Sequence, residues 1–281
     1  MTAARTTLFE DPAKEERLPP LPGVMPATSV VPLLDAVTVD HGPRDLLGRF
    51  FLLADRAIRN QVLRLAYCGD FSILKAINEA NRASWYPMLP CFDSRGGAGP
   101  HNAYFFLAYD AEEVVATQVG RVYDMPDGFT DHCRSLRLMY DDPATAVDGE
   151  SCTLLGDAGR VGEGIRGRVV FSGGTWCKPG KARGRGFAAL LARLSRSFAL
   201  ARFGTEWTVS SVRSSHIAGG LMRAYGYTRL DYEFKWRSPI QSGAPSTTED
   251  PIGLVHMPRE ELLSDLGAYM TKLNPSSQAA E

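Results

Sequence analysis

The chain has no uninterrupted apolar run of membrane-spanning length, although 44% of its 281 residues are hydrophobic. A helix crossing a bilayer needs about 20 consecutive apolar residues, so no membrane partner is expected. The opening stretch MTAARTTLFEDPAKEER is too polar for a secretory signal, which makes the cytoplasm the expected location. Cysteine is scarce. The five residues Cys68, Cys91, Cys133, Cys152 and Cys177 form no C-x-x-C pair or metal-type cluster, and their odd number argues against a disulfide framework. No internal repeat is visible.

Two phosphate-binding fingerprints are also missing. The nucleotide P-loop needs G-x-x-x-x-G-K followed by a hydroxyl residue. Gly174 to Gly180 is one residue too long for it, and Ala182 follows Lys181. The dinucleotide motif G-x-G-x-x-G fails because Ala189 stands where the third glycine belongs.

A last absence is local. Between Gly164 and Thr205 there is no Asp or Glu, but there are nine basic residues: Arg166, Arg168, Lys178, Lys181, Arg183, Arg185, Arg193, Arg196 and Arg202. The whole chain carries 31 basic and 32 acidic residues, leaving 22 against 32 elsewhere. A basic segment in an otherwise acidic protein points either to a local anionic ligand or to a solvated helix face.

What that segment contains is ordered. Val169, Val170 and Phe171 read as a buried strand that Pro179 and Gly180 end. Phe187, Leu190, Leu191, Leu194 and Phe198 then recur at helical spacing, with Arg193, Ser195 and Arg196 on the opposite side. Gly184 and Gly186 fall at the first turn of this helix, where unpaired backbone N–H groups and a partial positive charge suit a phosphate. Downstream, Glu206 to Val212 reads as a strand and Ser215 to Tyr227 as a short helix ending at a glycine.

The six residues Arg183-Gly184-Arg185-Gly186-Phe187-Ala188 fit Q/R-x-x-G-x-G/A, and here the chain resembles the GNAT acyltransferase superfamily, whose loop of this form holds the pyrophosphate of an acyl-coenzyme A. The family's N-x-x-A-x-x-L-Y-x-x-x-G-F is matched by Ala218, Leu221 and Gly226-Tyr227, with Ser215 in place of Asn and Met222 in place of Tyr. The resemblance implies an α/β fold with a mixed, mostly antiparallel central sheet flanked by helices, and a V-shaped parallel strand pair at the cofactor site. It implies acetyl-CoA or another acyl-CoA as cosubstrate, with no metal. Trp176, Cys177, Lys178, Lys181, Arg183, Gly184, Arg185, Gly186, Phe187, Ala188 and Ser215 would contact it. The oxyanion would be met by backbone N–H groups between Thr175 and Lys178. Tyr225 would supply the proton that Met222 cannot, or would simply be a core aromatic.

Elsewhere, residues 1–44 read as an N-terminal arm rich in Pro and Thr, with one candidate strand at Ala36–Val39. Leu46, Leu47, Phe50, Phe51, Ala54, Ala57, Ile58, Val62 and Leu65 hold one helical period, and a second helix follows over 71–83. Trp85 to Phe92 is an apolar loop, which either lines the acceptor pocket, as the resemblance implies, or is a satellite core cluster. Residues 102–120 form a hairpin turning at Asp110–Glu113. Residues 124–166 read as an insertion outside the sheet, with a short helix at 135–140 and a glycine-rich run. Thr228 to Trp236 alternates as a strand, Gly253 to Met257 is a last strand, Pro258 to Met270 a helix, and 271–281 a tail.

The expected unit is therefore one acyltransferase domain over 45–270, moving an acetyl group to a primary amine by direct attack in a ternary complex. The acceptor is a small-molecule or peptide amine, and a homodimer is compatible. The alternatives are a longer acyl donor, or a non-catalytic coenzyme-A-binding module, which Met222 and the missing carboxylate base favour. A nucleic-acid partner is not expected, because Trp176, Phe187, Phe198 and Phe203 sit mostly at core spacing.

Overall fold

The computed structural model describes residues 30–184, 186–239 and 251–274. In chain order the elements are β1 (Val31–Pro32), α1 (Leu33–Ala36), α2 (Arg44–Arg59), β2 (Arg64–Cys68), α3 (Phe71–Ala80), β3 (Ala103–Asp110) and β4 (Glu113–Met125). There follow α4 (Phe129–Arg134), β5 (Ser151–Leu154), α5 (Gly156–Gly164), β6 (Gly167–Cys177), α6 (Phe187–Phe203) and β7 (Trp207–Arg213). The last are α7 (Ser214–Ala218), α8 (Leu221–Tyr225), β8 (Arg229–Arg237), β9 (Ile252–Pro258) and α9 (Arg259–Leu273).

The described strands make one sheet in the order β1-β2-β3-β4-β6-β7-β9-β8-β5, antiparallel throughout except for the adjacent β6 and β7. The α/β class with a mixed, mostly antiparallel sheet is thus the observed one. Strand β3 explains how the layers form. Tyr104, Phe106 and Ala108 enter the core under α2, α6 and α9, while Ala103, Phe105 and Leu107 enter the core under α3 and the 85–92 loop. A strand covered on both faces needs apolar residues at both parities, which is why AYFFLAY is continuous rather than alternating.

Several boundaries differ from the sequence reading. Val62, at φ 63°, turns the chain out of α2, so Leu65 belongs to β2 and not to the helix. A strand therefore lies between the two early helices. Ala36 ends α1, and residues 37–39 carry no strand; β1 pairs with β2 instead. Residues 30–44 are consequently docked, with Leu33 fully buried, whereas residues 1–29 lie outside those described.

The 124–166 segment is not wholly outside the sheet, because β5 pairs with β8 at its edge. Its helix α4 lies wholly before 135–140, and the glycine-rich run itself forms α5. A side chain at Gly162 would put a β-carbon 2.3 Å from the Thr130 hydroxyl, so glycine permits α4 and α5 to pack closely.

His132 on α4 is 8% exposed, with its ring edge-on to Tyr123 at 5.1 Å. Burial, then Arg137 and Arg121, depress its pKa from 6.5 to about 4. The unfolded chain takes up this proton below 6.5 and the folded protein does not. Its contribution is therefore complete above 6.5 and is lost as the pH falls towards 4. Stability should fall by about 2 kcal/mol between pH ~7.5 and pH ~5 from this group. Urea unfolding of His132→Asn at both pH values should show that slope flattened; parallel slopes would refute it.

Candidate functional site

Strands β6 and β7 pair only at Val169–Trp207, Val170–Thr208 and Phe171–Val209. Beyond that point β6 stays with β4 and β7 stays with β9, so the two parallel strands part. A cleft of about 980 Å³ opens where they separate, beside the start of α6. Glycine-rich geometry shapes the β6 wall. Val119 faces Gly173 and Thr117 faces Trp176, leaving Gly174 and Thr175 without register partners on β4.

This is a β-bulge, and it exposes carbonyls that side chains then satisfy. Thr117 Oγ1 donates to the Gly174 carbonyl at 3.0 Å, and Gln118 Nε2 donates to the Gly173 carbonyl at 3.1 Å. Thr175 Oγ1 in turn donates to Gln118 Oε1 at 2.5 Å. The extra residue also reverses strand parity. Phe171 and Trp176 consequently share one face although they are five apart, and Cys177 turns to the other.

The parity change redistributes the expected contacts. Gly173, Gly174, Thr175 and Cys177 line the cleft, but Trp176 does not. Its ring instead stacks on Trp85 at 5.3 Å, with Nε1 donating to Ser84 Oγ at 3.1 Å. Lys178 is also displaced from its expected role. Its backbone N–H donates to the Val115 carbonyl at 2.7 Å, so it is spent on the sheet. Among the expected oxyanion donors only the bulge is left without a β4 partner, and that bulge begins at Gly174, one residue before the expected stretch.

Nor is the basic segment a free cationic surface. Lys178 pairs with Glu113, and Lys181 lies 2.8 Å from Asp110. Arg168 lies 2.9 Å from Asp124. Neither Lys178 nor Lys181 lines the cleft, because the β3–β4 turn holds both. Arg193 and Arg196 are buried, since α8 and α9 cover the face of α6 that spacing assigns to solvent. Arg185 lies outside the described residues.

Arg183, Gly184, Gly186, Phe187 and Ala188 do line the cleft, at its α6 end. Gly186 holds φ 79° immediately before the helix, no side chain caps that end, and a β-carbon there would meet nothing within 4 Å. Burial pushes the Cys177 thiol up to about 11, with Arg183 opposing the shift, so it stays a protonated wall residue rather than a nucleophile.

On α8, Leu221, Ala224 and Tyr225 line the cleft, spaced as one helix face. Met222, half-buried, packs against the core and does not line the cleft. The position that sequence matching gives to a proton donor is thus turned away, and Tyr225 occupies the wall. Burial raises the Tyr225 phenol well above its ordinary value, and a hydrogen bond with Thr175 opposes this.

Two arginines hold the end of this helix. Arg193 Nη1 donates to the Ala224 carbonyl at 2.7 Å, and Arg196 Nη2 donates to that of Tyr225. Asp265 of α9 takes Arg193 in a two-pronged pair at 2.8 and 2.9 Å and lies 3.9 Å from Arg196.

Ser215 is exposed and outside the lining, whereas its neighbour His216 is part of it. Arg213, Arg237, Ser210 and Ser211 also line the cleft and were not singled out by sequence. The Gly173-Gly174 pair inside a strand run was the available signal for the bulge. Arg213 and Arg237 had none, because they come to line one cleft only when β7, β9 and β8 are side by side. Trp85 to Leu89 and Phe92 form the opposite wall, which joins the two readings of that loop: it is both a core cluster and a cleft wall. Among the described residues no cluster of three or more His, Cys, Asp or Glu is placed to hold a metal, and no helix is long and apolar enough to cross a membrane.

No family model matches this chain, and no curated protein matches it. Solved structures do. It is similar to NAA60 of Arabidopsis thaliana in complex with acetyl-CoA, at 13% identity, covering 70% of this chain and 99% of that one with a TM-score of 0.40. It is similar to an agmatine N-acetyltransferase, at 12% identity over 69% of this chain and 99% of that one, TM-score 0.41. A third is FeeM, an N-acyl amino acid synthase from uncultured soil microbes, at 13% identity over 72% and 95%, TM-score 0.40. In its own strand order the chain is a mixed, mostly antiparallel α/β sheet flanked by helices, with one parallel pair that parts after Phe171 and Val209.

Proposed function

We propose that this protein is an acyl-CoA-dependent N-acyltransferase of the GNAT superfamily, passing an acyl group directly to an amine bound beside it. The observation carrying this reading is the cleft between the parted strands β6 and β7, which ends at the uncapped N-terminus of α6. The pyrophosphate would lie on the backbone N–H groups that open α6, with Arg183 beside it. Gly184 and Gly186 fit such a group, since neither puts a side chain in its path. The thioester would then reach the bulge at Gly174 and Thr175, where backbone N–H groups meet the developing oxyanion.

Tyr225 faces that point from α8. Its raised pKa keeps it protonated at neutral pH, so it serves as a hydrogen-bond donor to the leaving sulfur rather than as a strong acid. His216 is the imidazole in the lining and takes the base role in this reading. Residues 45–270 are the catalytic unit, with residues 124–166 as its insertion, the 1–44 arm before it and the 271–281 tail after it. It would act in the cytoplasm on a small-molecule or peptide amine, and a homodimer is compatible.

Acetyl-CoA and octanoyl-CoA should be offered with an amine panel, following thiol release and product mass. Tyr225→Phe should lower kcat by about ten- to hundredfold at unchanged coenzyme A affinity. An unaltered kcat would remove Tyr225 from the chemistry. The competing reading, a non-catalytic coenzyme-A-binding module, is favoured by one observation: no carboxylate lines the cleft among the described residues. Coenzyme A binding without transfer to any amine would establish it.

A further inference from the structure

Strand β6 gives the acyl group a direction. The start of α6 follows the end of β6, so a donor anchored there runs back along the strand, past Cys177, to the bulge at Gly174. Whatever lies beyond the thioester then points towards Phe171, where β6 and β7 close on each other at Phe171–Val209.

Both faces of β6 along that path are filled. On the side of the 85–92 loop, the Phe92 ring lies over Gly173, the residue next to the bulge. A β-carbon at Gly173 would sit 2.7 Å from Phe92 Cε2 and 2.9 Å from Cζ. The same ring stacks on Phe171 at 5.7 Å, and Phe129 stacks on Phe171 at 6.3 Å. Phe92 and Phe171 line the cleft but are only 2% and 1% exposed, so they form its end wall rather than its mouth. On the side of α6, Ser172 Oγ accepts from Gln118 Nε2 at 3.0 Å and is hydrogen-bonded to the buried Tyr227. An aliphatic chain entering there would leave buried polar groups unpaired.

Phe92 is also fixed in place. It closes a short turn, Pro90–Phe92, and its N–H donates to the Leu89 carbonyl at 2.9 Å. The buried Arg121 holds that turn from below. Its Nη1 donates to the Cys91 and Gly96 carbonyls, both at 3.0 Å, and its Nη2 to Asp141 Oδ1 at 2.6 Å. A ring packed and tethered in this way resists displacement by a longer chain.

Resting on the acyltransferase reading, we propose that Phe92 is the specificity-determining residue for the donor and limits the acyl group to a short chain. Its ring ends the acyl site one residue beyond the bulge. An acetyl methyl fits there, whereas a longer chain has to turn back into the space that the amine needs.

The test titrates coenzyme A, acetyl-CoA, butanoyl-CoA and octanoyl-CoA by calorimetry into wild type, Phe92→Ala and Phe92→Leu, so it needs no acceptor. Wild type should bind butanoyl-CoA and octanoyl-CoA at least about tenfold more weakly than acetyl-CoA. Phe92→Ala should close most of that gap by binding octanoyl-CoA more tightly than wild type does. Phe92→Leu, which keeps an apolar side chain in the core, should close part of it and decides the matter if Phe92→Ala does not fold. Damage to the wall alone would weaken the donors and tighten none. Octanoyl-CoA bound by wild type as tightly as acetyl-CoA overturns the short-chain limit and leaves the acyltransferase reading standing. A gap that neither variant narrows overturns the role of Phe92. No binding of coenzyme A or acetyl-CoA overturns the acyltransferase reading and this proposal together.

Discussion

Replacing Asp265 by alanine is expected to destabilise the protein by about 3–5 kcal/mol, the cost of leaving a buried charge without its partner. Arg193 and Arg196 are 4% and 0% exposed, and Asp265 is the acidic side chain paired with both. Burial already pulls the Arg196 guanidinium down from its usual pKa, with Asp265 among the groups opposing that shift. Rings take part of the load: Arg193 lies 4.0 Å from the Tyr269 centroid and Arg196 4.5 Å from that of Tyr227. Neither ring supplies a full counter-charge.

Chemical denaturation should read the loss directly, and Tm should drop by roughly 10 °C for a chain of this size. Asp265→Asn, which keeps the shape but removes the charge, should lie between the two. Because the same arginines hold the Ala224 and Tyr225 carbonyls, transfer by Asp265→Asn should fall while coenzyme A affinity holds. A loss below about 1 kcal/mol for Asp265→Ala would mean that rings and carbonyls suffice to bury these charges.

Gly186→Asp is expected to remove most coenzyme A binding, weakening it by more than about a hundredfold, without unfolding the protein. The structure separates the two effects. A β-carbon at Gly186 meets no atom within 4 Å, so no packing is lost. The penalty to folding is the strain of a side chain at φ 79°, about 1–2 kcal/mol. To binding, the change adds a carboxylate at the turn where phosphate must approach and where no described acid lines the cleft. Gly186→Ala carries the strain without the charge. It should therefore fold like Gly186→Asp and bind coenzyme A closer to wild type. Titration calorimetry on the three proteins measures this, and equal affinity in wild type and Gly186→Asp would refute the phosphate site.

The elements legible in the sequence were those whose pattern is set within a few residues. The 103–120 hairpin, α6, the strand after Tyr227 and the closing helix followed from periodicity and from glycine and proline punctuation. The parallel neighbours β6 and β7 followed from strand, helix and strand in succession. At the site, the glycine turn before α6 was nameable on the same local grounds, whereas Tyr225 was named only through the family resemblance.

Charge was where local reading misled. Lys178 and Lys181 meet acids 65 and 71 residues away, and Arg193 meets one 72 residues away. A segment without acid in sequence is therefore partly neutralised by acid in space. The same distance hid the burial of α6: its polar side looks solvent-facing until α9, some 55 residues on, closes over it. Which of Met222 and Tyr225 faces the cleft depends on how two arginines rotate and hold α8. Local propensity acts between neighbours along the chain, and it was enough to place these strands, these helices and the glycine turn before α6. Ion pairing, helix rotation and the presence of Arg213 and Arg237 in one cleft lining act between neighbours in space, and those arise only when the sheet has assembled.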